Sequence, residues 1–220
     1  MGLFSIFSQK PNSGSSGNNT GGLIGYLNLW DFYNSLTEEE KGTLRHYYDS
    51  RLTTAPVNHR ASTYDSGTIA STSETRLVYF SSTIGWAVSD KRYDIADKLI
   101  YFGEQYINEG LIDAHFFLQA AAECYYKQRD IRDDALDLCI RYCQRDVELF
   151  PRYRVPMEKE YGEIPRITTF QKLAVIYEKQ KMYDKALEIC QMALSYGLTD
   201  STKGGYAGRI EKIQKKIGKG

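Results

Sequence analysis

The sequence predicts an all-α protein made of antiparallel helix pairs, and three observations carry that expectation. All five prolines (Pro11, Pro56, Pro151, Pro156 and Pro165) fall in three polar stretches, and none of them interrupts a periodic apolar segment. A proline inside a helix costs about 3 kcal/mol through a lost donor and a ring clash, so long proline-free segments read as helices. Within those segments the apolar residues recur nearer every 3.6 residues than every second one. The helices then come in pairs whose turns resemble one another.

Residues 1–22 are expected to be a flexible tail, because Ser8 to Gly22 contains no large apolar residue to offset its ordering entropy. Residues 23–73 read as an N-terminal helical segment and linker. They open with Leu23 to Leu36, which holds Trp30, Phe32 and Tyr33. Thr37-Glu38-Glu39-Glu40 is a capping box: the Thr37 hydroxyl is placed to accept from the Glu40 N–H while the Glu40 side chain reaches back. The helix it starts is expected to reach about Arg51, and the Ser- and Thr-rich residues 52–73 to form a connecting loop. Seven helical segments follow, at 74–88, 93–108, 112–128, 131–149, 166–180, 183–196 and 205–217, with Pro151 to Pro165 as a long loop between the fourth and fifth. In the clearest of them Tyr183, Ala186, Leu187, Cys190, Ala193 and Leu194 share one stripe, and a strand would put half of these in water.

The pairs repeat. Tyr93-Asp94-Ile95-Ala96 matches Tyr183-Asp184-Lys185-Ala186, and Tyr126 precedes Ala135 by the same nine residues that separate Tyr177 from Ala186. The expected reason is that each Tyr closes a first helix on its partner while the small Ala lets the backbones approach. The unit Phe170-x2-Leu173-Ala174-x2-Tyr177…Ala186-x3-Cys190 resembles a tetratricopeptide repeat, W-x2-L-G-x2-Y…A-x3-F. A middle unit keeps Tyr126, Ala135 and Cys139 but has Glu123 at a small-residue position; a first unit keeps Phe80, Ala96 and Ile100, with Ala87 in the Tyr position. The resemblance covers about residues 74–200. It implies a right-handed array of about three antiparallel pairs (a TPR-like solenoid), with residues 201–220 as a C-terminal cap helix and basic tail. It also implies a concave face built from the first helix of each pair. The residues expected to line that groove are Phe117, Ala120, Cys124 and Lys127 in the middle unit, and Thr168, Gln171, Lys172, Val175 and Glu178 in the last. The paired Asn and Lys residues with which chaperone-docking members of the family clamp a C-terminal carboxylate are missing from this sequence.

The 220 residues carry 28 basic and 28 acidic side chains, so no global charge draws the chain to nucleic acid or an anionic membrane. No apolar run approaches the roughly 18–20 residues of a membrane span. The opening Met-Gly-Leu-Phe-Ser-Ile-Phe lacks a basic leader and a myristoylation pattern, and the chain is expected to be cytoplasmic. Cys139 and Cys143 share a helix face, but without a Cys-x-x-Cys or a histidine at ligand spacing they read as small core residues, and neither metal nor cofactor is expected. Asp133-Asp134 reads as a helix cap, and no nucleotide-binding, hydrolase or metalloprotease signature is present, so no catalytic residue is proposed. The glycine-rich Thr202 to Arg209 reads as a turn before the cap helix rather than a phosphate cradle. Residues 201–220 carry six Lys or Arg and one Glu. The function expected is therefore a non-enzymatic adaptor that binds a protein or peptide in the groove. Nucleic-acid association through the basic final helix is the alternative, and an enzyme without a recognisable motif is a third reading.

Overall fold

In a computed structural model, which describes residues 21–51 and 63–218, Thr37 and Glu40 form the reciprocal cap that their spacing predicts. The Thr37 N–H donates to Glu40 Oε2 at 2.8 Å and the Glu40 N–H to Thr37 Oγ1 at 3.2 Å. They start α3 (Glu38–Arg51). The other helices are α1 (Gly22–Tyr26), α2 (Trp30–Asn34), α4 (Arg76–Ser89), α5 (Tyr93–Gly103), α6 (Leu111–Gln128), α7 (Ala135–Tyr161), α8 (Thr168–Lys179), α9 (Tyr183–Ser195) and α10 (Gly205–Ile217), with no β-strand among the described residues. The tail expected over residues 1–22 lies outside the described residues up to residue 20, as do residues 52–62 of the expected loop. The chain divides into two compact units between Ile107 and Asn108.

The first unit packs α4 on α5, with the N-terminal helices beside them. Phe32 is its hub, its ring edge-on to Tyr79, Phe80 and Phe102. Residues 63–67, expected to be a mere connection, join this core. Tyr64 is buried and shares a 2.6 Å hydrogen bond with the Tyr79 hydroxyl. The Tyr64 carbonyl accepts from the Ile24 N–H, and the Gly67 carbonyl from the Gly21 and Gly22 N–H groups. Gly22 is required for this approach: its φ is +59°, and a Cβ there would stand 2.4 Å from the Thr63 carbonyl oxygen.

The second unit pairs α6 with α7 and α8 with α9, seats α8 on α7 and lays α10 on α9. Its α7 corrects the expected loop from Pro151 to Pro165, since the helix runs through Pro151 and Pro156 to Tyr161. Burial is the physical reason. Val147, Phe150, Tyr153 and Met157 continue one buried stripe across both prolines, which lie on the exposed side. Continuing the helix keeps Tyr153 and Met157 on that stripe, at about 1.5–3 kcal/mol each, a gain of the same scale as the cost of about 3 kcal/mol for a proline within a helix. Phe150 alone meets the rings of Tyr153, Phe170 and Tyr196. Gly162, at φ +80°, ends the helix, and its N–H donates to the Glu158 carbonyl.

One turn recurs. After α1, α4 and α8 a non-glycine residue takes the left-handed conformation: Asn28 (φ 53°), Lys91 (φ 59°) and Lys181 (φ 61°). In each, its N–H bonds a carbonyl three residues back, and the next N–H bonds one five back: Leu29 to Ile24, Arg92 to Ala87, Met182 to Tyr177. This is the double hydrogen bond of a Schellman cap, and it reverses the chain into the next helix within three residues. The likeness predicted between the Tyr93 and Tyr183 segments thus corresponds to two turns built alike. The α6–α7 turn differs, with the Ile131 and Arg132 N–H groups both bonded to the Gln128 carbonyl.

Candidate functional site

That unlike turn shifts the register of α6. The buried stripe of the helix is Ile112, Ala114, His115, Phe117, Leu118, Ala121, Ala122, Cys124, Tyr125 and Gln128. Tyr125, not Tyr126, closes α6 on α7, its ring stacked on that of Tyr142 at 5.6 Å. Phe117 and Cys124, expected in the groove, are therefore fully buried in the core. Counting back nine residues from Ala135 finds Tyr126, but the longer turn puts the structural counterpart of Tyr177 one residue earlier. One residue is about 100° around a helix, enough to turn a groove position into a core one. Glu123 was the available signal, because a carboxylate at a close-packing position shows that this face is not packed.

On α8 the buried side chains are Thr169, Phe170, Leu173, Ala174, Ile176 and Tyr177, which leaves Thr168, Gln171, Lys172 and Val175 half-buried on the opposite face. These four and Glu123, Tyr126 and Arg166 line an open groove of about 380 Å³ between α6 and α8. The predicted α8 positions other than Glu178 are thus brought together, while Glu123, Tyr126 and Arg166 join them unforeseen. Ala120 is half-buried on the same side of α6, and Lys127 is exposed with its ammonium 3.5 Å from Glu123. Glu178 is drawn away from the groove into ion pairs with Arg209 (3.2 Å) and Lys216 (2.7 Å) of α10.

Lys172 is the centre of the groove. Its side chain is 12% exposed, its ammonium lies 2.5 Å from Glu123 Oε2, and it sits 4.5 Å from the centroid of the Tyr126 ring. The Arg129 guanidinium covers the same ring at 4.4 Å. The aromatic face and the carboxylate both attract the ammonium and hold it in place. At the mouth, Arg166 donates to Gln171 Oε1, and Gln171 Nε2 donates to Ser201 at 2.8 Å. Arg166 and Lys172 in the groove and Lys127 at its edge therefore face one lining carboxylate, Glu123, while Arg129 is paired with Asp130 at 3.2 Å; the neutral amide and hydroxyl of Gln171 and Thr168 and the apolar Val175 complete the lining.

Beneath the groove lies a polar cluster that its scattered sequence positions conceal. His115 of α6 donates from Nδ1 to Asp146 Oδ1 of α7 at 2.8 Å, and Thr169 of α8 donates from its hydroxyl to Asp146 Oδ2 at 2.5 Å. All three are buried, and the Tyr153 ring packs against the His115 ring. Burial, and then the Asp146 charge, push the Tyr153 hydroxyl well above its usual value. Thr169 donates to Asp146 rather than to His115, so the three are not arranged as a hydroxyl–imidazole–carboxylate relay. Its geometry ties together the two helices that wall the groove and the one beneath them.

All four cysteines are buried and free, and burial pushes the Cys190 thiol up to about 12. Burial and the neighbouring Cys139 likewise raise the Cys143 thiol. The glycine-rich segment is a turn whose polar groups are engaged: the Thr202 N–H donates to Asp200, and Arg209 donates to both Asp200 (2.7 Å) and Thr202 (2.6 Å). Of the basic residues in α10, Arg209 and Lys216 are thus held by carboxylates. No helix among the described residues is long and apolar enough to cross a membrane.

No known protein family matches the chain, and no solved structure matches it. An uncharacterized protein of Aquifex aeolicus (strain VF5) is 26% identical over 201 residues, covering 90% of each chain, so the similarity extends through both units.

Proposed function

We propose that the protein is a non-enzymatic adaptor whose α6–α8 groove receives a segment of a partner protein. One observation carries this reading: Thr168, Gln171, Lys172 and Val175, chosen from the sequence as groove residues, line a cavity together with an aromatic ring and further charges. A tetratricopeptide-like construction of the helix pairs supports it, through the shared turns after α4 and α8 and the buried Ala87, Ala96, Tyr177 and Ala186. In that construction successive first helices present a face free of their partners, and α6 and α8 are the first helices of adjacent pairs.

The test is site-specific cross-linking. A photo-reactive phenylalanine analogue at Gln171 should capture a partner protein from native lysate, and the same analogue at Asp184, exposed at the start of α9, should not. Val175→Arg should abolish the capture while the circular dichroism of the protein stays unchanged. Equal capture from both positions, or capture indifferent to Val175→Arg, would remove the groove from consideration.

A further inference from the structure

We infer that the groove is selective for an acidic, extended segment of its partner, and that Glu123 occupies the place of the ligand's carboxylate until it is displaced. The inference rests on the groove reading above and adds the chemistry of the occupant. Arg166 and Lys172 line the groove and Lys127 lies beside it, against the lining carboxylate of Glu123, while the nearby Arg129 is paired with Asp130 at 3.2 Å. Removing Glu123 from that set leaves a site lined by cations, an aromatic face and one apolar side chain, and charge complementarity then selects an anionic partner.

The two ends of the Lys172–Glu123 pair differ in a way that fits displacement. Lys172 is 12% exposed and fixed over Tyr126, whereas Glu123 is 43% exposed on the rim of α6. The ammonium therefore stays in place, and the carboxylate is the partner free to rotate into water. An incoming carboxylate replaces it on Lys172 without leaving a buried charge unpaired, which is the expensive alternative. Arg166 and Lys127, at the borders, are placed for further acidic side chains, while Gln171 and Thr168 offer hydrogen bonds to extended backbone. The open groove of about 380 Å³ has room for a short stretch of chain.

The experiment measures fluorescence anisotropy of the full chain with fluorescein-labelled ten-residue Gly/Ser peptides carrying three Glu, or three Gln at the same places. The Glu peptide is expected to bind at least about tenfold more tightly than the Gln peptide, as close charge pairs in an interface allow. Lys172→Met should abolish that preference. Glu123→Gln should tighten the Glu peptide about threefold, the scale of a part-exposed ion pair, because the internal competitor is gone. Equal binding of both peptides, abolished by Val175→Arg, would overturn the acidic selectivity and leave the groove reading standing. Binding of neither peptide, or binding indifferent to Val175→Arg, would overturn both. Weaker Glu-peptide binding in Glu123→Gln would overturn the displacement. A thymidine oligonucleotide of equal charge that competes better than unlabelled Glu peptide would assign the groove to nucleic acid instead.

Discussion

Asp146 shows how one side chain can hold three helices. It accepts from His115 and Thr169 in a setting closed to water, where an unpaired partner is costly. Asp146→Ala is therefore expected to destabilise the protein by about 3–5 kcal/mol, read as a lower urea midpoint at unchanged slope. Thr169→Val, which leaves the His115 bond in place, should cost only about 1–3 kcal/mol. Phe117 tests the register of α6 at the same scale. As a fully buried ring it should cost about 3–5 kcal/mol when cut to alanine. As a groove residue it would have cost almost nothing, so thermal denaturation of Phe117→Ala separates the two placements directly.

Among the elements, α7 departs furthest from what local rules dictate. Proline placement and polar composition argue for a loop after Phe150, yet the helix continues because its inner face stays apolar while its outer face carries the prolines. Pro156 is exposed and contributes little packing. Pro156→Ala restores a backbone donor for the Arg152 carbonyl, and is expected to raise stability by about 1–2 kcal/mol, less than the full proline cost because the unfolded chain also gains freedom. Urea denaturation at pH 7 checks it; a fall in stability would mean that the proline ring is needed where it stands. The turns behave in the opposite way. Lys91 and Lys181 adopt left-handed conformations that no glycine announces, and the polar turn residues that mark the reversal do not disclose its geometry.

At the scale of the whole molecule, the chain divides into two compact units, and the second closes with a latch on α10. Burial opposes ionisation of Asp200, but the hydrogen bonds from Arg209 and the Thr202 N–H outweigh it and hold the carboxyl below the usual carboxylate range. A carboxyl so lowered stabilises the fold fully above its unfolded value of about 3.9 and ceases to do so as pH falls through the folded one. Hydrogen exchange of the α10 amides should therefore quicken, relative to the α6 amides, between pH 5 and pH 3. Asp200→Asn should show little of that change. An α10 equally protected at both pH values in the native protein would show that apolar contacts of Tyr206 and Ile213 hold it alone.

The amino-acid sequence by itself determined the helical segments other than the end of α7, the capping box of α3 and the open face of α8, because each follows from spacing within a single element. Thr168, Gln171, Lys172 and Val175 were legible for that reason. Glu123 and Tyr126 were not, since their place depends on how far the α6–α7 turn rotates one helix against the next, and Arg166 was not because it lies in the connection before α8. The His115–Asp146–Thr169 cluster joins residues from three helices that no periodicity links. Only tertiary packing decided these matters: a helix chooses its buried face by what it meets, and burial was strong enough to carry α7 through two prolines.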